Sequence, residues 1–242
     1  MSPRAISVLQ RALGTYRAEW RRVFGAAMLV LLPISLLATA VEAVAVVLPA
    51  ASSDYRILDV IVILVVVATG RTLGGVFYAG LLDRLVGHRQ GGHPRMSIAE
   101  VIRTLPYRRL WVANILLALV TTIGLLLLVI PGVVVYTLFS LVGPIINIED
   151  QSVLRGFRRS AELVLPRFPL VLLLATLPTT AEQVLHQFVH FLLEHQPDYV
   201  VAIVLDGLLA GTIGAFVGLV EVTLAYELGA RAHHPAAASE SA

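Results

Sequence analysis

Apolar residues gather along the chain into runs over about 24–48, 57–81, 110–130, 132–148, 168–190 and 200–226, separated by short polar segments. A helix needs about 20 residues to cross roughly 30 Å of hydrocarbon, so each run reads as a spanning helix. The fourth is short and must stand nearly upright or thin the bilayer. The pattern predicts an all-α membrane protein with six transmembrane helices, amphipathic cytoplasmic interfacial helices, and N and C termini inside. Between the third and fourth runs, Ile130-Pro131-Gly132 interrupts a continuous apolar stretch. Gly132 and the missing amide of Pro131 suit a tight turn between two helices, with Pro131 at a helix start.

Three segments on one side of these runs have helical periodicity. Over about 4–20, Ile6, Leu9, Leu13, Tyr16 and Trp20 recur at three- and four-residue spacing while Arg4, Arg11 and Arg17 fall mostly off the stripe, which predicts a helix lying in the headgroup plane. Ser97-Ile98-Ala99-Glu100 is a capping box before Val101, Ile102 and Leu105, and Pro106 ends that helix. Ser152 is placed to cap a third helix with Val153, Phe157 and Val164 on one side and Arg155, Arg158 and Arg159 on another.

Charge fixes the orientation. The chain has 18 basic residues, all of them arginine, and sixteen fall in the segments assigned to the cytoplasm; Arg56 lies outside and Arg71 within a span. Such asymmetry over short loops is a positive-inside signal and predicts a cytoplasmic-membrane protein with both termini inside. The basic residues are spread among juxtamembrane segments, where anionic phospholipid headgroups are the counter-charge, so the sequence pI near 9.2 does not indicate nucleic acid. Hydrophobic residues make up 57% of the 242, and the mean hydropathy of +0.84 agrees with lipid as the main solvent. With no cysteine, disulfides and thiolate metal sites are excluded. The first run is too long for a removable signal peptide. Residues 1–229 read as a single transmembrane domain and 230–242 as a disordered tail.

Several short motifs share an order: Ile130-Pro131-Gly132, Gly143-Pro144-Ile145, Ile148-Glu149, then Phe157-Arg158-Arg159-Ser160 followed by Leu163. In this the chain resembles the bacterial membrane-domain family named after the membrane portion of glycerophosphoryl diester phosphodiesterase. The resemblance extends to the amino-terminal helix and to Asp83-Arg84 ahead of Ser97. It implies a six-helix integral membrane protein of undefined biochemical role. In fused members the phosphodiesterase chemistry resides in a separate barrel domain, which this chain is too short to contain, so no activity is transferred. Pro169 departs from the family pattern and predicts a bent start to the fifth span.

Charges within spans need partners; the candidates are Glu42, Arg71, Glu182, Asp206 and Glu221. Arg71 and Glu221 both fall in the inner half of the bilayer and read as a structural ion pair. Gly207, Gly211, Gly214 and Gly218 form one stripe on the last span, and Gly70 and Gly74 a similar pair on the second, which predicts that these spans pack closely. Glu182, His186, His190 and Glu194 recur every four residues near the outer end of span five, with Glu42 and Asp206 at comparable depth. Glu182, His186, His190 and Asp206 are a candidate set for a divalent cation such as zinc; the competing reading is a polar helix face emerging into water. There is no HExxH motif.

No constellation amounts to an active site, so the reading is a non-enzymatic multi-pass protein that scaffolds or anchors a membrane or cytoplasmic protein partner. Two alternatives carry their own residues. A cation or proton path would use the outer Glu/His cluster and the Arg71 and Glu221 pair. Lipid handling would use Arg155, Arg158 and Arg159 for headgroup contact.

Overall fold

The computed structural model describes residues 3–47, 74–90, 96–127, 129–193, 208 and 210–229, and all regular structure among them is helical. α1 (Pro3–Val47) runs for 45 residues with a backbone break at Glu19, where φ is −120° and ψ 20°. The amphipathic segment at about 4–20 is therefore the first half of α1. It buries a stripe of small residues, Ala5, Val8, Ala12 and Thr15, and leaves Ile6, Leu13 and Trp20 outward. Small side chains let the backbone approach its neighbours closely.

α2 (Gly75–Val86) starts at Gly74, whose φ of 112° favours glycine, and a tighter turn, Gly87–Gln90, follows it. α3 (Ile98–Thr104) begins with the expected capping box: the Ser97 amide donates to Glu100 Oε2 at 2.7 Å and the Glu100 amide to Ser97 Oγ at 3.3 Å. α4 (Tyr107–Leu127) and α5 (Val129–Phe139) fold back on each other. α6 (Val142–Ile148) follows a turn at Ser140 and Leu141. α7 (Val153–Val164) leads through the turn Leu165–Arg167 into α8 (Phe168–Val171), a wider π turn at Leu172–Thr176, and α9 (Leu177–Leu193). Arg167 leaves the helical region at φ −131° and ψ 27°, so this course bends beside Pro169. A second π turn, Ala210–Gly214, opens α10 (Ala215–Leu228), which Gly229 ends in the left-handed region.

The expectation of six transmembrane helices is corrected. Among the described residues, three helices are long and apolar enough to cross a membrane: Ile130–Ile148, Val153–Glu182 and Gly211–Leu228. An apolar run in the sequence is not by itself an uninterrupted apolar helix. α1 carries five arginines and Glu19 ahead of the first run, the described part of the second run is the start of the 12-residue α2, which goes on to Asp83 and Arg84, and α4 opens on Tyr107, Arg108 and Arg109 before the third run begins. The fifth run begins earlier than expected, because α7 continues into it. Most of the second run, the start of the sixth, and 230–242 lie outside the described residues.

α2 is the hub of the packing, touching α1, α3, α4, α6 and α10 with nearly every side chain buried. Tyr78 anchors it to α1 by donating to the Val23 carbonyl at 3.2 Å. The motif glycines are points of close approach. A Cβ on Gly143 would collide with the Val76 backbone, and one on Gly124 would lie 2.9 Å from Gly132 Cα.

Candidate functional site

The polar residues of the described structure fall into two groups. One is a pole where arginines meet carboxylates; the other lies among the long apolar helices.

At the pole, the buried Asp83 carboxylate of α2 accepts from Tyr226 Oη of α10 and from Asn147 Nδ2 of α6, both at 2.8 Å. Asn147 also donates to the Gly80 carbonyl at 2.9 Å and accepts from Arg84 Nε at 2.9 Å. The Asp83 carboxylate thus ties three helices together, and each polar atom on Asn147 has a partner. At the break in α1, the buried Glu19 carboxylate faces Arg22 at 3.2 Å, Arg89 at 3.5 Å and His88 at 3.6 Å, and Arg22 reaches on to the Met96 carbonyl. Further pairs, Arg11 with Glu227 and Arg109 with Asp150, close the same end.

The three arginines expected to meet lipid headgroups have different surroundings. Arg159 turns inward to Glu149 at 3.2 Å and braces the corner between α6 and α7. The buried Ser160 beside it donates to the Leu138 carbonyl at 2.8 Å. Arg158 makes an exposed pair with Glu162 at 3.0 Å, and Arg155 is exposed. The arginine-serine motif is therefore half a bracket and half a surface.

Exposed Glu100 has its pKa held below the ordinary carboxylate value by the Ser97 amide first and the Ser97 hydroxyl second.

Among the apolar helices, Glu182 of α9 and Glu221 of α10 are both buried and in electrostatic range of each other. Tyr136 of α5 lies within electrostatic range of both carboxyls. Glu182 lies close against Gly214, where an added Cβ would sit 3.0 Å from its Oε1. The Thr137 and Thr176 hydroxyls share a hydrogen bond of 2.8 Å nearby in sequence on α5 and the π turn before α9. Sequence reasoning assigned Glu182 to the outer end and Glu221 to the inner half; it missed their electrostatic proximity, which no local pattern announces.

Arg71, Glu194 and Asp206 lie outside the described residues, as do the side chains of Glu42, His186 and His190. The Arg71 and Glu221 pair and the set Glu182, His186, His190 and Asp206 are thus represented here by their glutamates alone. Among the described residues no group of three His, Cys, Asp or Glu could hold a metal ion.

The class defined so far is an all-helical protein with three helices long and apolar enough to cross a membrane. The chain belongs to the family described as a domain of unknown function (DUF7847), whose model matches residues 107–228. No curated protein and no solved structure matches it.

Proposed function

We propose that this chain is a non-enzymatic multi-pass protein of the bacterial cytoplasmic membrane that scaffolds or anchors a protein partner, with its arginine-rich pole toward the cytoplasm. The observation that carries the reading is α4. It buries Ala113, Asn114, Ala118, Thr121 and Thr122 and turns Trp111, Val112, Ile115, Leu119 and Ile123 outward. In water that stripe would be a large exposed apolar patch. In hydrocarbon the outward stripe is the favourable arrangement, since lipid accommodates apolar side chains, and the Asn114 amide oxygen accepts from the Gly74 amide within the protein. Trp20 and Trp111, the chain's two tryptophans, are 51% and 45% exposed and stand next to Arg21 and one turn from Arg108, as an interfacial belt requires. The arginine bias supports the orientation. Mutual pairing of the pole's polar groups supports a structural rather than a chemical role. The motif resemblance to the membrane portion of glycerophosphoryl diester phosphodiesterase enters as a proposed kinship and brings no activity with it.

Reconstitution of Trp20→Phe and Trp111→Phe tests the membrane reading, each variant leaving one tryptophan to report. Lipids brominated near the headgroup should quench both; fluorescence unaffected by any brominated lipid would overturn the reading. A second reading, a cation or proton path, is favoured by one observation, the buried Glu182 and Glu221 beside Tyr136. Proteoliposomes decide between them. The scaffold reading expects no ion flux above that of empty vesicles, whereas flux abolished by Glu221→Gln would favour the path.

A further inference from the structure

We propose that the outward face of α7 is a binding surface for anionic phospholipid, an inference that rests on the membrane reading above. Leu154 is 75% and Leu165 67% exposed, and they lie at the two ends of α7. At 100° per residue Leu154, Arg158 and Leu165 fall within one narrow sector, with Arg155 about 60° to one side of it. Two large apolar side chains so exposed are out of place in water. They are in place at the boundary between headgroups and acyl chains, where leucines enter the acyl layer and arginines remain with the phosphates.

Charge selects the lipid. Arg155 has no ion pair or hydrogen bond among the described residues. Arg158, its side chain 83% exposed, uses only Nε on Glu162 and leaves its terminal nitrogens available. Arg159 is committed to Glu149 and to Glu162, the latter at 3.7 Å, and does not join the surface. Two arginines against one shared glutamate leave this face positive, which complements an anionic headgroup and is indifferent to a zwitterionic one. The position in the fold agrees. The corner before α7 is fixed by Arg109 on Asp150, and the turn Leu165–Arg167 delivers the chain into the long apolar course after it.

Native mass spectrometry of the full chain in detergent, titrated with phosphatidylglycerol or phosphatidylcholine, tests the proposal. The parent protein should retain phosphatidylglycerol in preference. Each arginine removed should weaken that retention about fivefold, the equivalent of roughly 1 kcal/mol per basic residue at an anionic surface. Arg155→Gln with Arg158→Gln should therefore lose most of it, whereas Arg103→Gln on α3 should lose none. Glu162→Gln, which releases Arg158, should strengthen it, so the test does not depend on variants that lose charge. Equal retention by parent and double variant, equal loss in Arg103→Gln, or full displacement by millimolar inorganic phosphate would overturn the proposal; in the first case an acidic protein becomes the better occupant of this face. Alkaline carbonate extraction separates the two levels. Protein released from membranes refutes the membrane reading itself, while protein retained in membranes without lipid preference refutes only this surface.

Discussion

α4 and α7 solve burial by opposite rules. α7 hides Phe157, Leu163 and Val164, with Phe157 edge-on to Phe139 at 5.0 Å, and gives Arg155 and Arg158 to the outside. α4 hides alanines, an asparagine and threonines and gives its largest apolar side chains to the outside. Both are consistent with one physical rule applied in two solvents. Where water or headgroups surround a helix, its apolar side is the inner one; where hydrocarbon surrounds it, the inner side is set by close packing and by polar groups seeking partners. A substitution that changes the polarity of an outward position should therefore cost very different amounts on the two helices.

The largest contrast between the two helices is expected from Leu119→Arg. By a rise of about 1.5 Å per residue this position lies roughly 12 Å along α4 from Trp111. A charge there should cost about 2.5–3.5 kcal/mol on insertion scales. Leu154→Arg on α7, at the headgroup boundary, should cost about 1 kcal/mol or less, as near a bilayer interface. Membrane-integrated yield and thermal stability in detergent measure both. Similar losses for the two variants would remove the distinction between the helices.

Asp83→Ala tests whether the pole is held by its buried network. It leaves the Tyr226 hydroxyl and one Asn147 donor without their acceptor, each such group costing about 1–3 kcal/mol. Tyr226→Phe, which removes only the hydroxyl, should cost about 1 kcal/mol. Thermal unfolding of both should rank Asp83→Ala as the more damaging; the reverse order would mean that the hydroxyl matters beyond its bond to Asp83.

The same two solvents explain what could be read from the sequence. Features governed by a few neighbouring residues were legible: the Ser97 and Glu100 box, the Val153, Phe157 and Val164 side of α7, and the helix start at Pro131, although Ile130 and Gly132 lie inside α5 and not in a turn. Periodicity also located two faces on the first half of α1, but it does not say which is inside. Ile6, Leu13 and Trp20 form the more apolar stripe and yet face outward, because Ala5, Val8 and Ala12 allow a closer backbone approach. The number of spans was not legible from apolar length, since a run acquires charged turns of helix at its ends or merges with the helix before it, as α7 does with the fifth run. Nor was the electrostatic proximity of Glu182 and Glu221, which no local pattern announces.

The glycine stripe of α10 sharpens the close-packing half of the comparison. Gly218 faces Tyr78 and Leu82 of α2, as the predicted pairing of these spans requires, whereas Gly211 faces Phe24 and Met28 of α1 and Gly214 faces Glu182 and Leu31. One stripe thus serves three neighbours. Gly218→Leu should cost about 1–3 kcal/mol through overpacking, and Gly211→Leu should do likewise. Gly25→Leu should be within about 0.5 kcal/mol of the parent, because nothing lies within 4 Å of its added Cβ. Equal melting temperatures for the three would argue that α10 is not seated as closely as its neighbours indicate.

The smallest effect belongs to α3, whose start is governed by water alone. Glu100 is fully exposed, and its pKa in the folded protein lies below the ordinary 4.5 because the Ser97 amide and hydroxyl favour the charged carboxylate. A depressed folded-state pKa means that the cap's contribution is complete above the ordinary value and is lost as pH falls through the folded one. The first turn of α3 should therefore fray on acidification from just above pH 4.5 downward and be insensitive to pH between 5 and 7. Hydrogen exchange of the amides following Ser97, corrected for the intrinsic dependence of exchange on pH, reports this directly. Glu100→Gln keeps an acceptor for the Ser97 amide but carries no titrating group, so its protection should be flat over the same interval. Acid fraying that persists in Glu100→Gln would assign the pH dependence to another group and leave the capping box as geometry without electrostatic consequence.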